Sequence, residues 1–131
     1  MFLDASALCS MITSEDDASF LAAKLRGTDL RLTSPLAVWE SVSNVSRILA
    51  IEQEHAQRLV EQFLAEFTIA VTGIVPAMTS LALDARRRFG KGRHPAALNF
   101  GDCFAYACAK HHRVPLLYKG NDFAQTDIES A

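Results

Sequence analysis

The sequence predicts an α/β sandwich around a mostly parallel sheet, and three observations lead there. Short apolar or β-rich runs alternate with longer stretches of helical periodicity. Apolar residues make up 50% of the 131 residues, which suits one compact core rather than a disordered or fibrous chain. Four acids, Asp4, Glu40, Asp102 and Asp122, each stand where an element starts or ends. In a parallel sandwich, strand carboxyl ends and helix N-termini share one edge of the sheet, where ligands bind.

Phe2-Leu3 reads as a short buried strand ending at Asp4. A helix follows from Ala5 or Ser6 to about Ile12. Glu15-Asp16-Asp17 puts acid at the head of the next helix, where the dipole favours it, and Gly27 stops that helix after Arg26. Leu30 to Thr33 alternates as a strand does. Ser34-Pro35 supplies a cap and a first-turn proline for a helix running to about Ala50, with Val38, Val42, Val45 and Leu49 on one face.

Glu54 to Glu66 continues as a helix, and Phe67 to Val71 is β-rich. Pro76 to Phe89 is helical, with Met78, Leu81, Ala82, Ala85 and Phe89 facing inward. Gly90 to Ala97 is a loop. Asn99 to His112 forms a helix with Phe100, Cys103, Phe104, Ala107 and Cys108 facing inward. Val114 to Tyr118 is the last clear strand, with Pro115 near its start, and Asp127-Ile128 suggests a small edge strand. No linker or repeat divides the chain, so 1–131 is expected to be one domain.

The bulk numbers exclude several classes. A formal charge of −2 announces no nucleic-acid partner, so any such contact needs a local basic patch. The three cysteines, Cys9, Cys103 and Cys108, form no Cys-x-x-Cys pair and sit among apolar neighbours. They read as reduced core residues, in keeping with a cytoplasmic location. No basic leader precedes Asp4, and no run reaches the ~20 apolar residues of a membrane span.

Each acid has a bland reading beside a chemical one. Asp4 follows a strand but can cap the helix after it, with Ser6 able to cap or to orient it. Glu40 shares a polar helix face with Asn44 and Arg47. Asn99 and Asp102 have the spacing of a capping box, yet Asp102 opens a largely buried helix. Gly120-Asn121-Asp122 is ordinary turn chemistry placed just after a strand. Convergence of the four follows from topology, not from spacing alone.

The segments together resemble a PIN domain of the type found in VapC toxins of bacterial toxin–antitoxin pairs. The likeness spans essentially the whole chain. It rests on Leu3-Asp4-Ala5-Ser6, on Pro35 to Glu40 with Asn44 and Arg47, and on the run from Gly92 to Ala107. Pro115 to Phe123 and Thr126-Asp127-Ile128 complete it. It implies a PIN-like three-layer α/β/α sandwich similar to FLAP-type nucleases. It also implies an endoribonuclease dependent on Mg²⁺ or Mn²⁺ that cuts structured RNA such as transfer RNA. By that likeness Asp4, Glu40 and Asp102 are the central acids, Asp122 is the fourth, and Ser6 supports Asp4. One departure is Asn121, where many relatives carry an acid; its amide oxygen can coordinate but adds no charge.

The chemistry agrees with the residues. Three or four carboxylates suit octahedral Mg²⁺, which would activate water and offset charge on a phosphate. Arg86 to His94 is the one dense basic stretch, so Arg87, Arg88, Lys91, Arg93 and His94 are candidate RNA contacts beside a solvated-face alternative. His55, His111 and His112 read as structural, and Trp39 as a core or interface aromatic. The resemblance further implies a homodimer and a VapB-type antitoxin, forming a hetero-oligomer with it. Leu8, Met11, Ile12, Phe20 and Leu21 are candidates for the antitoxin groove, with ordinary core as the equal alternative.

Two other readings remain. A catalytically silent α/β binding or scaffold module would use the same acids as caps and turns. A haloacid-dehalogenase-like phosphatase would want a second acid two residues after Asp4, where Ser6 stands.

Overall fold

Every strand in this protein is two residues long, so the sheet is held by its helices as much as by its ladder. A computed structural model describes residues 1–131. In chain order the elements are β1 (Phe2–Leu3), α1 (Ala5–Ile12), α2 (Ala18–Arg26), β2 (Leu32–Thr33), α3 (Pro35–Leu49) and α4 (Gln53–Glu66). There follow β3 (Ala70–Val71), α5 (Ala77–Phe89), α6 (Phe100–His112), β4 (Leu116–Leu117) and a 3₁₀ turn at Phe123–Gln125.

The four strands are parallel in the order β3-β2-β1-β4. Side chains alternate across a strand, and the two cores follow from that. Phe2, Leu32 and Leu116 join the core beneath α5 and α6. Leu3 and Leu117 join the core beneath α1 to α4. The result is the expected three-layer α/β/α sandwich.

Local chemistry explains most element boundaries. Ser34 Oγ accepts from Ala37 N and Pro35 fills the first helical turn of α3. Asn99 and Asp102 form a complete capping box on α6.

Several expectations needed correction. The strands expected over Leu30–Thr33, Phe67–Val71 and Val114–Tyr118 shrink to their central or final residues. Phe67 ends α4 instead, and Thr68 turns through positive φ (52°). Asp127-Ile128 is not a strand, because the Asp127 carboxylate is held by Arg88 and Tyr106. Pairing with β4 comes later, where Leu116 N donates to Glu129 O and Ala131 N to Leu116 O.

The five-residue groove on the first helices does not form. Leu8, Met11 and Leu21 are buried core, Ile12 packs against that core, and only Phe20 stays exposed. Trp39 is 68% exposed, so it is not a core residue, and Phe100, expected to face inward, is 69% exposed at the first position of α6. All three cysteines are free and buried, as expected. No helix is long and apolar enough to cross a membrane.

Candidate active site

Asp4 leaves β1 as the N-cap of α1 and is nearly fully buried. Its backbone N donates to Leu117 O, which ties it to β4. Its Oδ2 accepts from Ser6 N at 3.0 Å and from Ser6 Oγ at 2.5 Å. Ser6 Oγ in turn accepts from Lys119 N at 3.0 Å, joining α1 to the segment after β4. Asp4 therefore caps α1 while standing at the carboxyl end of β1. Burial raises its pKa, against the opposing effect of the Ser6 and Ala5 hydrogen bonds.

Glu40 reaches α6 from α3. An added Cβ at Gly101 would fall 2.6 Å from the Glu40 carboxyl carbon, so the carboxylate lies directly against the first turn of α6. Only glycine admits that approach. Glu40 is half-buried and its pKa is pushed up to about 7, first by burial and then by the charges of Asp4 and Asp102.

Asp102 sits one residue beyond Gly101. Its Oδ2 accepts from Asn99 N at 2.8 Å, and its own N donates to Asn99 Oδ1 at 3.0 Å. Burial pushes its pKa up to about 6; the Asn99 hydrogen bond opposes this, while Asp4 and Asp122 add to it. Asp122 precedes the 3₁₀ turn, is exposed, and lies within electrostatic reach of Asp102.

The structure thus brings Asp4, Glu40 and Asp102 together, with Asp122 at their margin. None of the four pairs with a lysine or arginine. In kind the donors fit a hard divalent cation, being anionic oxygens without a basic partner. As they stand, no three are drawn to the spacing of a single ion's shell.

The remaining candidates divide. Asn121 is exposed and contributes its backbone O to Gln125 Nε2. Asn44 accepts from Arg47 at 3.5 Å, one turn beyond Glu40. Arg87 pairs with Asp84, and Arg88 bridges Asp84 and Asp127. His94 Nδ1 accepts from Ala96 N, and its ring stands edge-on to Phe89. Lys91 and Arg93 are exposed with no carboxylate partner.

Sequence reasoning missed two features. The Gly101–Glu40 contact had one available signal, a glycine inside a helix beside an acid. The Arg88–Asp127–Tyr106 cluster had none beyond the Thr126-Asp127-Ile128 motif.

Comparison with known proteins places this geometry in context. The PIN domain family model matches residues 1–129. A VapC ribonuclease of Rhizobium meliloti (strain 1021) is 37% identical, covering 97% of this chain and 98% of its own. Ribonuclease VapC30 of Mycobacterium tuberculosis (strain ATCC 25618 / H37Rv) is 36% identical, with 98% and 95% covered. Among solved structures, Mycobacterium tuberculosis VapC20, a sarcin-ricin loop cleaving toxin, superposes with a TM-score of 0.78 at 11% identity. That match covers 99% of this chain and 97% of the other. A toxin–antitoxin complex from Klebsiella pneumoniae gives a TM-score of 0.70 at 16% identity, covering 96% and 92%.

Proposed function

Because the chain belongs to the PIN-domain family, among the VapC ribonucleases, we propose that it is an RNA-cleaving toxin. On this reading it is an endoribonuclease that works with Mg²⁺ or Mn²⁺ on structured RNA such as transfer RNA. A cognate VapB-type antitoxin silences it.

One observation carries the reading. Three carboxylates from the end of β1, from α3 and from α6 meet at one sheet edge, have their pKa values raised first by burial, with Asp4 adding to the rise at Glu40 and Asp102, and have no basic partner. A structural role alone does not call for uncompensated charge in that place. Asp4, Glu40, Asp102 and Asp122 are the residues to hold the cation. When bound it supplies Lewis acidity toward a phosphate oxygen and lowers the pKa of water.

The chain's own groups do the rest. Ser6 fixes the Asp4 carboxylate against rotation, and the Asn99 cap fixes that of Asp102. Glu40, with a pKa near neutrality, can hold or release a proton beside them. Exposed Lys91 and Arg93 offer the phosphodiester backbone a contact that the acids refuse it.

The test is cleavage of total RNA by the purified chain with Mg²⁺ or Mn²⁺ and with EDTA. Cleavage in metal and none in EDTA is expected. Cleavage that persists in EDTA sinks the metal mechanism, and no cleavage of any RNA supports the silent binding module. The antitoxin is checked by co-expression with a small gene directly upstream, whose product should bind the chain and stop cleavage.

A further inference from the structure

A cleft between α5 and α6 opens at the start of α6, the helix that carries Asp102. Its volume is about 600 Å³, and its lining includes Leu83, Phe100, Cys103 and Phe104 together with Arg86 and Lys91. Sites that take small organic groups span about 300–1,000 Å³, so a nucleotide fits.

We propose that this cleft is a nucleotide subsite, in which an unpaired RNA base stacks on Phe100 while its flanking phosphates meet Arg86 and Lys91. The inference rests on the ribonuclease reading and deepens it, by stating where the substrate is gripped.

Three independent features converge on that occupant. Phe100 is 69% exposed, although it is one of the larger apolar side chains in the molecule. Its ring is not loose, since it stands against Phe104 with centroids 5.0 Å apart. A braced, exposed aromatic face suits base stacking, which tolerates any sequence because every base has a π-face.

The charges fit as well. Arg87 and Arg88 are occupied by Asp84 and Asp127, whereas Arg86 and Lys91 are exposed and meet no carboxylate. On a chain whose formal charge is −2, two free cations at one apolar cleft favour an anionic ligand. The location completes the argument. Phe100 opens α6, Gly101 receives Glu40, and Asp102 follows. Phe100 and Asp102 thus share the first turn of α6, which puts the cleft and the carboxylates at the same end of one helix. A fully paired duplex presents no free base to stack, so the subsite selects loops and single strands.

The experiment is fluorescence anisotropy in EDTA, where binding is read without cleavage. The full chain and the variants F100A, F100W and R86Q/K91Q are titrated with a hairpin RNA bearing an unpaired loop and with a fully paired RNA. F100A is expected to weaken hairpin binding about tenfold, in line with one lost stack. It should leave duplex binding unchanged, and F100W should restore the hairpin. R86Q/K91Q should weaken binding and flatten its salt dependence by roughly 1.4 in log–log slope, for two single-strand phosphate contacts.

Hairpin binding by F100A equal to that of the native chain overturns the subsite. So does an absence of RNA binding by the native chain. A shift from dimer to monomer in F100A on sedimentation, with RNA binding per chain intact, makes the cleft an interface between copies instead. The two readings fail separately. Phe100-dependent binding without cleavage in Mg²⁺ or Mn²⁺ removes the ribonuclease reading and leaves the subsite standing.

Discussion

Two acidic clusters in this protein behave in opposite ways. At the sheet edge, Asp4, Glu40 and Asp102 are buried or half-buried, meet no cation and have raised pKa values. Around α5 and α6, Asp84 and Asp127 are bound by Arg87, Arg88 and the Tyr106 hydroxyl. Hydrogen bonds from Arg87 and Arg88 hold Asp84 below its ordinary value. At Asp127 burial pushes the pKa upward, but Arg88 and Tyr106 outweigh it and hold it low. Carboxylates thus stand without a basic partner in one place and are bound by arginines in the other. What separates the two is the partner, not the carboxylate.

The widest separation should appear in activity. Asp4→Asn and Asp102→Asn are expected to lower RNA cleavage on the order of a hundredfold or more, as loss of a charge-stabilising ligand does. Asp127→Asn should leave cleavage per folded molecule near the native level. Equal losses at the two clusters, in a gel assay with Mn²⁺, would erase the distinction.

Gly101→Ala tests the site without touching an acid. The new methyl group must displace the Glu40 carboxylate, a flexible side-chain end, so the fold can absorb it. Cleavage should fall roughly tenfold to a hundredfold from misplacement alone. Stability in urea should change little or rise by up to about 1 kcal/mol, the gain of alanine over glycine in a helix. A large loss of stability would mean that the backbone, not Glu40, gives way.

The third separation is in pH. Glu40 and Asp102 move from ordinary values of 4.5 and 3.8 to about 7 and about 6, and Asp4 moves the same way. In the unfolded chain these groups lose their protons earlier, so between about pH 4 and 7 the native state binds more protons. Their contribution is full below about pH 4 and is lost as pH rises through 6 and 7. His112, whose pKa is lowered by burial and by His111, opposes this over part of the range. In EDTA the melting temperature should therefore fall across that window, and Glu40→Gln should flatten it. Added Mn²⁺ should raise the melting temperature most at the alkaline end. Asp84 and Asp127 act in the reverse sense, losing their contribution only as pH drops below about 4. A melting curve flat from about pH 4 to 7 in the native chain would contradict this.

The smallest effect belongs to the paired cluster. Asp127→Asn should cost about 0.2–1 kcal/mol in urea denaturation, the range of exposed ion pairs. Its carboxylate is 47% exposed, which argues for the lower end.

Features local in sequence were the ones legible there. The Ser34-Pro35 start, the Asn99–Asp102 capping box and the Asp4–Ser6 pair are each written within a few residues, and each appears in the fold. Contacts across the fold carried no such signature. Glu40's helix face looked merely solvated because its partner, Gly101, lies far along the chain and offers no side chain. Arg88 looked available to RNA because Asp127 lies 39 residues on. Trp39 read as a core or interface aromatic because large aromatics usually bury area, and its exposure removes only the core alternative. The edge strand expected at Asp127-Ile128 failed for a similar reason: an ion pair held Asp127 and shifted pairing toward Ser130.

The Ser6–Asp4 pair has one more consequence. An asparagine at position 4 keeps a side-chain oxygen able to start α1, so it would lose the charge and retain the cap. Alanine there would lose both. Aspartate and asparagine codons differ by a single base. If Asp4 holds the cation as proposed, a lineage harmed by this toxin has a one-nucleotide path to a folded copy without activity, whose outer surfaces are unchanged.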